Sequence, residues 1–318
     1  MHPILVHLVQ RIAFGLLMLL AISVVLFLGI EALPGDTALS ILGQTATPQA
    51  LENLRHQLGL DQPPLTRYIN WLAGVLTGDL GTALTNGADI AESMGKRLGN
   101  TLFLAGVTAA IAVPLSLILG VIAARYAGRW PDKLISAITL TTISLPEFVA
   151  AYFIVFLFAI VFPISQPVSM MFPGMSFWEK LQTVALPVTV LVLVVVAHMM
   201  RMTRAAILNV MQSAYIETAE LKGLAPMTVI WKHALPNAVA PIITVVALNL
   251  AYMVVGTVVV EVVFSYNGLG QYLVDHVTQR DLPVVQAVGL FFASVYIGMN
   301  LIADMIVIIA NPRLRHPK

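Results

Sequence analysis

Three carboxylates, Glu147, Glu261 and Asp304, lie within or near strongly apolar stretches of this 318-residue sequence. A charged side chain in a bilayer is costly, so each carboxylate predicts either a structural pair or a contact in a transport pathway. For Glu261, near the end of its stretch, and for Asp304, the sequence favours structural pairing. Glu147 follows Pro146, and a proline can break a helix. A carboxylate beside a broken helix can line a pathway, so pathway lining and local packing are both expected for Glu147.

The sequence contains none of the common catalytic or cofactor-binding patterns. It has no P-loop motif, no H-E-x-x-H and no G-x-S-x-G, so neither ATP binding through a P-loop nor common hydrolase chemistry is indicated. The seven histidines lack metal-ligand spacing, and cysteine is absent. We therefore expect no catalytic residue, no metal and no cofactor, and the net charge of +1 does not suggest a nucleic-acid partner.

A polar segment, residues 213–237, separates two strongly apolar stretches. The segment predicts a short helix that opens near Ser213 and ends at Gly223, because glycine readily adopts the left-handed conformation that closes a helix. Pro226 suits the first turn of a second short helix, which Leu235-Pro236 is expected to stop. Two short helices with a sharp bend at a membrane surface are typical of a docking element for another protein.

Composition places the whole chain in a membrane. Hydrophobic residues make up 58% of the chain and charged residues only 10%, whereas soluble proteins carry roughly 25% charged residues. Six stretches are long enough to cross a bilayer, which takes about 20 residues of helix. They are residues 12–30, 101–124, 134–162, 181–200, 239–264 and 284–310. The third is long enough to tilt or to break at Leu145-Pro146.

The spans divide the chain into an N-terminal membrane helix (1–30), a periplasmic segment (31–100) and a five-helix core (101–318) that includes the polar segment. The periplasmic segment predicts two short helices, one ending at Gly59 and one near Gly78. Lysine and arginine are more frequent in the segments that share a side with both termini, which predicts that the termini and the polar segment are cytoplasmic. The predicted fold class is an all-α integral membrane protein.

Several stretches together resemble a known family. Glu217-Thr218-Ala219, Gly223 and Ala234-Leu235-Pro236 resemble the EAA loop of ATP-binding-cassette (ABC) importer permeases. Further stretches, in order along the chain, are similar to the dipeptide/oligopeptide/nickel permeases. They include Leu58-Gly59-Leu60-Asp61-Gln62-Pro63, Gly78-Asp79-Leu80-Gly81, Arg201-Met202-Thr203-Arg204, Glu261-Val262-Val263-Phe264-Ser265, Gly268-Leu269-Gly270 and Asn311-Pro312-Arg313-Leu314-Arg315. Tyr266-Asn267-Gly268 stands where family members often have Trp-Pro-Gly, which predicts a looser turn.

The resemblance implies the MetI-like permease fold and a multi-pass location in the bacterial inner membrane. This chain would be the first permease subunit, paired with a second homologous permease around a pathway for dipeptides, oligopeptides or a related small solute. Two cytoplasmic ABC ATPase subunits would hydrolyse ATP, and a periplasmic or lipid-anchored binding protein would deliver the solute. Membrane lipid would surround the assembly.

The resemblance also implies which residues couple the bundle to an ATPase. They are Ile216, Glu217, Ala219, Glu220, Gly223, Leu224, Leu235 and Pro236. Helical spacing places Ile216, Ala219 and Leu224 on an apolar side that should bury against the ATPase or the bundle, with the two glutamates on the other side.

The pathway candidates are the polar residues in or near the spans: Glu147, Asn249, Tyr252, Glu261 and Asp304. Polar residues inside spans also serve in helix packing, and this alternative stays open for Asn249 and Tyr252. Glu147 is unusual beside the family pattern and favours a cationic solute.

Two other functions remain open from the sequence. A stand-alone ion-coupled secondary transporter would suit broken helices and intramembrane carboxylates, but the sequence lacks inverted-repeat symmetry and has the docking segment. A membrane scaffold would explain docking but not the polar residues inside the spans.

Overall fold

A computed structural model describes residues 3–32, 37–43, 46–57 and 59–310 of the chain. Within these ranges the protein is almost entirely helical, with one isolated β-bridge between Thr82 and Asp89. The helices are α1 (Pro3–Glu31), α2 (Thr37–Leu42), α3 (Pro48–Gln57), α4 (Pro64–Thr77), α5 (Ile90–Arg125), α6 (Trp130–Ser144), α7 (Glu147–Val155), α8 (Phe177–Thr183), α9 (Ala185–Met211), α10 (Ala214–Leu221), α11 (Pro226–Val229), α12 (Leu235–Val263), α13 (Leu269–Thr278) and α14 (Leu282–Ala310). Leu58 and the matched stretch 311–315 lie outside the described residues.

Five continuous helices in the described ranges are long and apolar enough to cross a membrane, and the count is six if a bent helix pair is taken as one span. The continuous spans lie in α1, α5, α9, the helix Pro226–Val263 and α14. The bent pair consists of α6 and the helix Glu147–Val161, and the bend is 100°. Leu145 is extended because a residue before proline avoids the helical region. The predicted break at Leu145-Pro146 is confirmed.

The second span begins earlier than predicted, at Ile90 rather than at residue 101. Asp89 caps the helix by accepting a hydrogen bond from the backbone N–H of Glu92 at 2.7 Å, which satisfies one of the free donors of the first turn. Lys96 pairs with Glu92 at 2.7 Å on the exposed surface. These polar contacts let α5 extend beyond its apolar stretch.

The prediction that Leu235-Pro236 stops a second short helix is wrong. Helix α11 continues through a π-helical turn, Ile230–Ala234, directly into α12. Pro236 stands in the first turn of α12, and the wider hydrogen-bond spacing of the π turn lets a proline follow without ending the helix. The polar segment is therefore joined to the fifth span without a loop.

The helices pack around a central pair formed by α5 and α9, with α12 and α14 beside them and α1 against α14. Close approach depends on small residues: a Cβ on Gly120 would lie 2.7 Å from the Thr203 side chain, and one on Gly15 would lie 3.2 Å from Ile297. Such contacts are a common means of helix packing in membranes.

The segment between α1 and α5 folds onto the end of α1. The Tyr68 hydroxyl is hydrogen-bonded to Ser23 at 2.8 Å, and the Tyr68 ring packs edge-on against Phe27. Arg67 forms an ion pair with Glu31 at 2.5 Å. Helix α4 ends at Gly78, which is left-handed as predicted (φ 84°).

Candidate functional site

The polar segment forms a bent two-helix element at the end of the bundle that we call the α10 end. Helix α10 ends at Leu221, Lys222 is its C-cap, and Gly223 follows with φ 77°. The Gly223 N–H donates to the Glu220 carbonyl at 2.8 Å. A Cβ on Gly223 would contact nothing within 4 Å, so the left-handed backbone rather than space calls for glycine here. The predicted end of the first short helix is confirmed.

The buried side of α10 packs against the bundle of this same chain. Ile216 and Ala219 are buried in a cluster that we call the α10-end cluster. Its members come from α5, α9, α10, the α11–π-helical stretch and α12: Val121, Ala124, Ala206, Ile207, Ile216, Ala219, Val229, Ile230, Ala234, Ala238 and Ile242. The sequence left open whether this side is buried against the ATPase or against the bundle. The structure shows that Ile216 and Ala219 are buried against the bundle. Leu235 is partly buried against the same cluster.

The opposite side of the element exposes large apolar side chains, which we call the exposed coupling face. Its members are Tyr215, Leu221, Leu224, Met227 and Trp231. Leu221 is 83% exposed. Contrary to its expected burial, Leu224 belongs to this exposed set, because α10 ends before it. Glu217, Glu220 and Pro236 are also exposed. An apolar patch rimmed by charges is typical of a protein-interaction surface.

A buried ion pair near the α10 end holds two spans together, and sequence reasoning missed it. Arg204 of α9 donates from Nε and Nη2 to the two carboxylate oxygens of Asp132 of α6, both at 2.7 Å. Asp132 is buried and also accepts from the Gly128 N–H at 2.8 Å. Such a two-point contact fixes orientation as well as distance. The sequence signal that could have indicated this ion pair is Asp132 itself, an acidic residue in the first turn of α6.

Glu261 lies at the opposite, α13 end, where it is fully buried. Its carboxylate accepts hydrogen bonds from the Thr101 hydroxyl at 2.7 Å and from the N–H groups of Gly270 and Gln271 at 2.7 and 3.1 Å. The carboxylate therefore joins the start of α13 to α5 and α12, where a negative charge at a helix N-terminus is favourable. A Cβ on Gly268 would lie 2.4 Å from it, so this position has room only for glycine.

The turn after α12 is firmly held, so the looser turn expected from Tyr266-Asn267-Gly268 is not observed. The side chain of Asn267 accepts from the Met171 N–H at 2.9 Å and donates to the Met171 carbonyl at 2.8 Å. The Tyr266 hydroxyl donates to the Asn100 carbonyl at 2.6 Å. Burial, with a smaller contribution from nearby Glu261, raises the pKa of Tyr266 above its ordinary value, which keeps this donor protonated.

Asp304 forms an ion pair with Arg11 at 2.8 Å, which joins α14 to α1. Asn249 donates to the Val245 carbonyl one turn back along its own helix at 2.8 Å. Tyr252 is exposed, and its ring lies 6.1 Å from that of Tyr296. These positions agree with the structural alternatives for Asp304 and Asn249 but do not test a transport role.

Glu147 is the pathway candidate without a local partner. Among the described residues it forms no ion pair or hydrogen bond, and its side chain is half-buried at the break between α6 and α7. Helix α12 approaches it closely, because a Cβ on Gly256 would lie 3.7 Å from the carboxylate. Asn249, Tyr252 and Gly256 are spaced to share one face of α12. Asn249 and Tyr252 therefore lie on the face of α12 that approaches Glu147.

Within the described residues, no group of three or more histidine, cysteine, aspartate or glutamate side chains could hold a metal ion.

Two family models match successive parts of the chain. Residues 116–316 match the family described as the binding-protein-dependent transport system inner membrane component, and residues 4–105 match the N-terminal component of the same kind of protein. The chain therefore belongs to this family, whose members are the membrane components of binding-protein-dependent ABC importers and adopt the MetI-like fold. It is a permease-type transport subunit, and ATP hydrolysis belongs to separate subunits.

Individual relatives are similar over almost their whole length. A protein of Brucella abortus named as a peptide transport system permease is 34% identical over 310 residues, covering 96% of this chain and 98% of the relative. A Sinorhizobium fredii protein named as a peptide ABC transporter permease is 31% identical over 314 residues, covering 98% and 99%. The glutathione transport system permease protein of Shigella flexneri is 34% identical over 310 residues, covering 98% and 99%. The secondary-transporter and scaffold alternatives have no comparable support.

Proposed function

We propose that this chain is the first of two homologous permease subunits of an ABC importer for short peptides, including peptides of the size of glutathione. It forms half of the pathway, two cytoplasmic ATPase subunits bind beneath the permease pair, and a periplasmic or lipid-anchored binding protein delivers the solute. The observation that carries the proposal is the exposed coupling face, which is rigidly attached to the bundle through Ile216 and Ala219. The names of the relatives support the solute class.

The proposed coupling works through the two sides of one element. The ATPase contacts the exposed coupling face and the rim formed by Glu217 and Glu220, while Ile216 and Ala219 transmit movement to α5, α9 and α12. A nucleotide can shift the bundle only if these contacts differ between its two states. Gly223 sets the bend, and Leu235-Pro236 continue the element into α12, so displacement of the element moves the fifth span directly.

We assign the α10 end and both chain termini to the cytoplasm, on the basis of the lysine and arginine distribution. For the pathway, we propose that Glu147, Asn249 and Tyr252 face the solute. We propose that Glu261 and Asp304 position helices, because both carboxylates are occupied by contacts within the chain.

The orientation can be tested directly because the chain has no cysteine. Leu221→Cys and Leu76→Cys form a matched pair, since these leucines are 83% and 81% exposed and lie on α10 and α4. In intact spheroplasts a membrane-impermeant maleimide should label the cysteine at 76 and spare the one at 221, and inverted vesicles should reverse the pattern. Labelling of position 221 in spheroplasts would contradict the proposed orientation.

The coupling assignment is tested with the same two positions. The chain is co-expressed with its partner permease and ATPase subunits, and the assembly is captured through a tag on the permease. Leu221→Glu should lose the ATPase, because a charge replaces the most exposed apolar side chain of the coupling face. Leu76→Glu should retain it. Equal ATPase recovery from both variants would remove the assignment.

A further inference from the structure

A cavity of about 350 Å³ opens between α6 and α9 near the α10 end, beside the ion pair of Asp132 and Arg204. The residues that line it are Ser136, His198, Arg201, Met202, Arg204 and Ala205. Polar groups and basic side chains therefore face a space large enough for a small headgroup. Neither the coupling face nor the pathway candidates contribute to this lining.

The cavity carries positive charge that the described part of the chain does not neutralise. Nε and Nη2 of Arg204 donate to Asp132, whose negative charge neutralises this arginine and fixes its position. Nη1 takes no part in the ion pair. Arg201 lies one turn away and is exposed. Within the described residues, Arg201 has no ion pair or hydrogen bond, and the hydroxyl of Ser136 and the imidazole of His198 add polar groups.

In the proposed orientation, the cavity would lie near the boundary between headgroups and acyl chains. Trp130, the first residue of α6, is 74% exposed, and tryptophan is enriched at membrane interfaces. Asp132 is in the first turn of α6, and Arg201 precedes Arg204 by one turn, about 5 Å deeper along α9. Met202 and Leu134, both exposed, supply apolar surface beside this point.

We propose that this cavity binds the phosphate of an anionic phospholipid. The guanidinium of Arg201 contacts the phosphate oxygens, Ser136 contacts the glycerol region, and one acyl chain follows Met202 and Leu134. Basic cavities between membrane helices on the cytoplasmic side are suited to anionic headgroups, and arginine is especially suited to phosphate because its donors form a planar fork. The carboxylate of a peptide solute has related chemistry, but the exposed apolar side chains beside Arg201 favour a lipid.

The test measures lipid retention by the full chain purified in mild detergent, so it does not depend on the ATPase or on the solute. Native mass spectrometry compares adducts of phosphatidylglycerol and phosphatidylcholine. For the unaltered chain, phosphatidylglycerol should be retained preferentially. Arg201→Gln should lower its retention roughly five-fold, the factor expected for removing one cation beside an anionic headgroup. Arg129→Gln, which removes an exposed charge outside the cavity, should leave retention unchanged.

Ala205→Leu provides a second variant that fills the cavity and keeps every charge. It should reduce phosphatidylglycerol retention as Arg201→Gln does, and each variant must elute as a single folded species. Equal retention of the two lipids, or equal phosphatidylglycerol retention by Arg201→Gln and Arg129→Gln, would overturn the proposal. Displacement of the adduct by a peptide with a free carboxylate, but not by its amide, would assign the cavity to solute instead.

Discussion

The two ends of the bundle are stabilised in different ways. At the α13 end, buried carboxylates accept hydrogen bonds from within the chain: Glu261 holds the start of α13, and Oδ2 of Asp281 accepts from the N–H and hydroxyl of Thr85 at 3.0 and 2.8 Å. At the α10 end, small and branched apolar residues bury one side of the polar segment, while large apolar side chains remain exposed on the other. The first end is held together by contacts within the chain, and the second exposes the apolar side chains that we propose as the ATPase contact.

This difference predicts which substitutions change the stability of the chain and which change its association with the ATPase. Satisfied buried hydrogen bonds contribute little when present but cost much when one partner is removed. An exposed apolar side chain contributes little to folding and much to association. Substitutions at the α13 end should therefore unfold the chain, whereas those on the exposed coupling face should disconnect it from its ATPase and leave it folded.

The largest effect is expected for Glu261→Ala. Three donors, from Thr101, Gly270 and Gln271, lose their acceptor, which should lower the free energy of unfolding by about 4 kcal/mol. Thermal aggregation of the detergent-purified chain measures this as a strongly reduced midpoint. The control is Glu217→Ala, an exposed glutamate without such contacts, which should leave the midpoint in place. Equal midpoints for the two variants would contradict the structural role of Glu261.

A smaller loss of stability is expected for Ile216→Ala, which leaves a cavity in the α10-end cluster. Large-to-small changes of this kind cost about 3 kcal/mol in a packed core. Leu221→Ala, on the exposed side of the same helix, should not change the unfolding midpoint but should reduce ATPase recovery. If instead Leu221→Ala destabilised the isolated chain and Ile216→Ala did not, the two sides of α10 would have been assigned in reverse.

Gly223→Ala should have a moderate effect on both properties. A Cβ in the left-handed conformation costs about 1 kcal/mol, and the bend can relax that strain by changing shape. We expect a small decrease in the unfolding midpoint and a clear decrease in ATP-driven uptake per assembled complex. Gly174→Ala is a matched control, because Gly174 also has a positive φ and open space around it but lies in a loop before α8. Uptake at the control level would show that the bend is not needed for coupling.

The smallest effect is expected for Glu147→Gln, because Glu147 supports no other group among the described residues. If its carboxylate faces the solute, uptake of peptides with a cationic side chain should fall about three-fold relative to neutral peptides, the order expected for one exposed charge contact. Glu147→Asp, which keeps the charge, should retain most of the preference. Equal losses for cationic and neutral peptides would exclude charge recognition by this residue.

The sequence predicted those features that depend on neighbouring residues. The broken span at Leu145-Pro146 and the left-handed Gly223 follow from the local preferences of proline and glycine. The apolar stretches identified the spans because the bilayer imposes a length. The general fold and the family therefore required no knowledge of tertiary contacts.

Features that depend on distant partners could not be predicted in this way. Arg204 and Asp132 are 72 positions apart, and Glu261 and Thr101 are 160 apart. The uninterrupted passage through Pro236 depends on a π-helical turn, for which a single sequence has no clear signal. The sequence could not decide whether Ile216 faces the ATPase or the bundle, because burial against either would explain an apolar side chain at this position.

The unbroken helix Pro226–Val263 contains 38 residues, so it is about 57 Å long, well beyond the hydrocarbon thickness of roughly 30 Å. It starts among the side chains of the exposed coupling face and ends beside Glu261, whose carboxylate accepts hydrogen bonds from the start of α13. In the proposed coupling, a displacement at Trp231 would therefore reach the start of α13 along a single helix. One continuous helix therefore links the element at one membrane surface to α13 at the other.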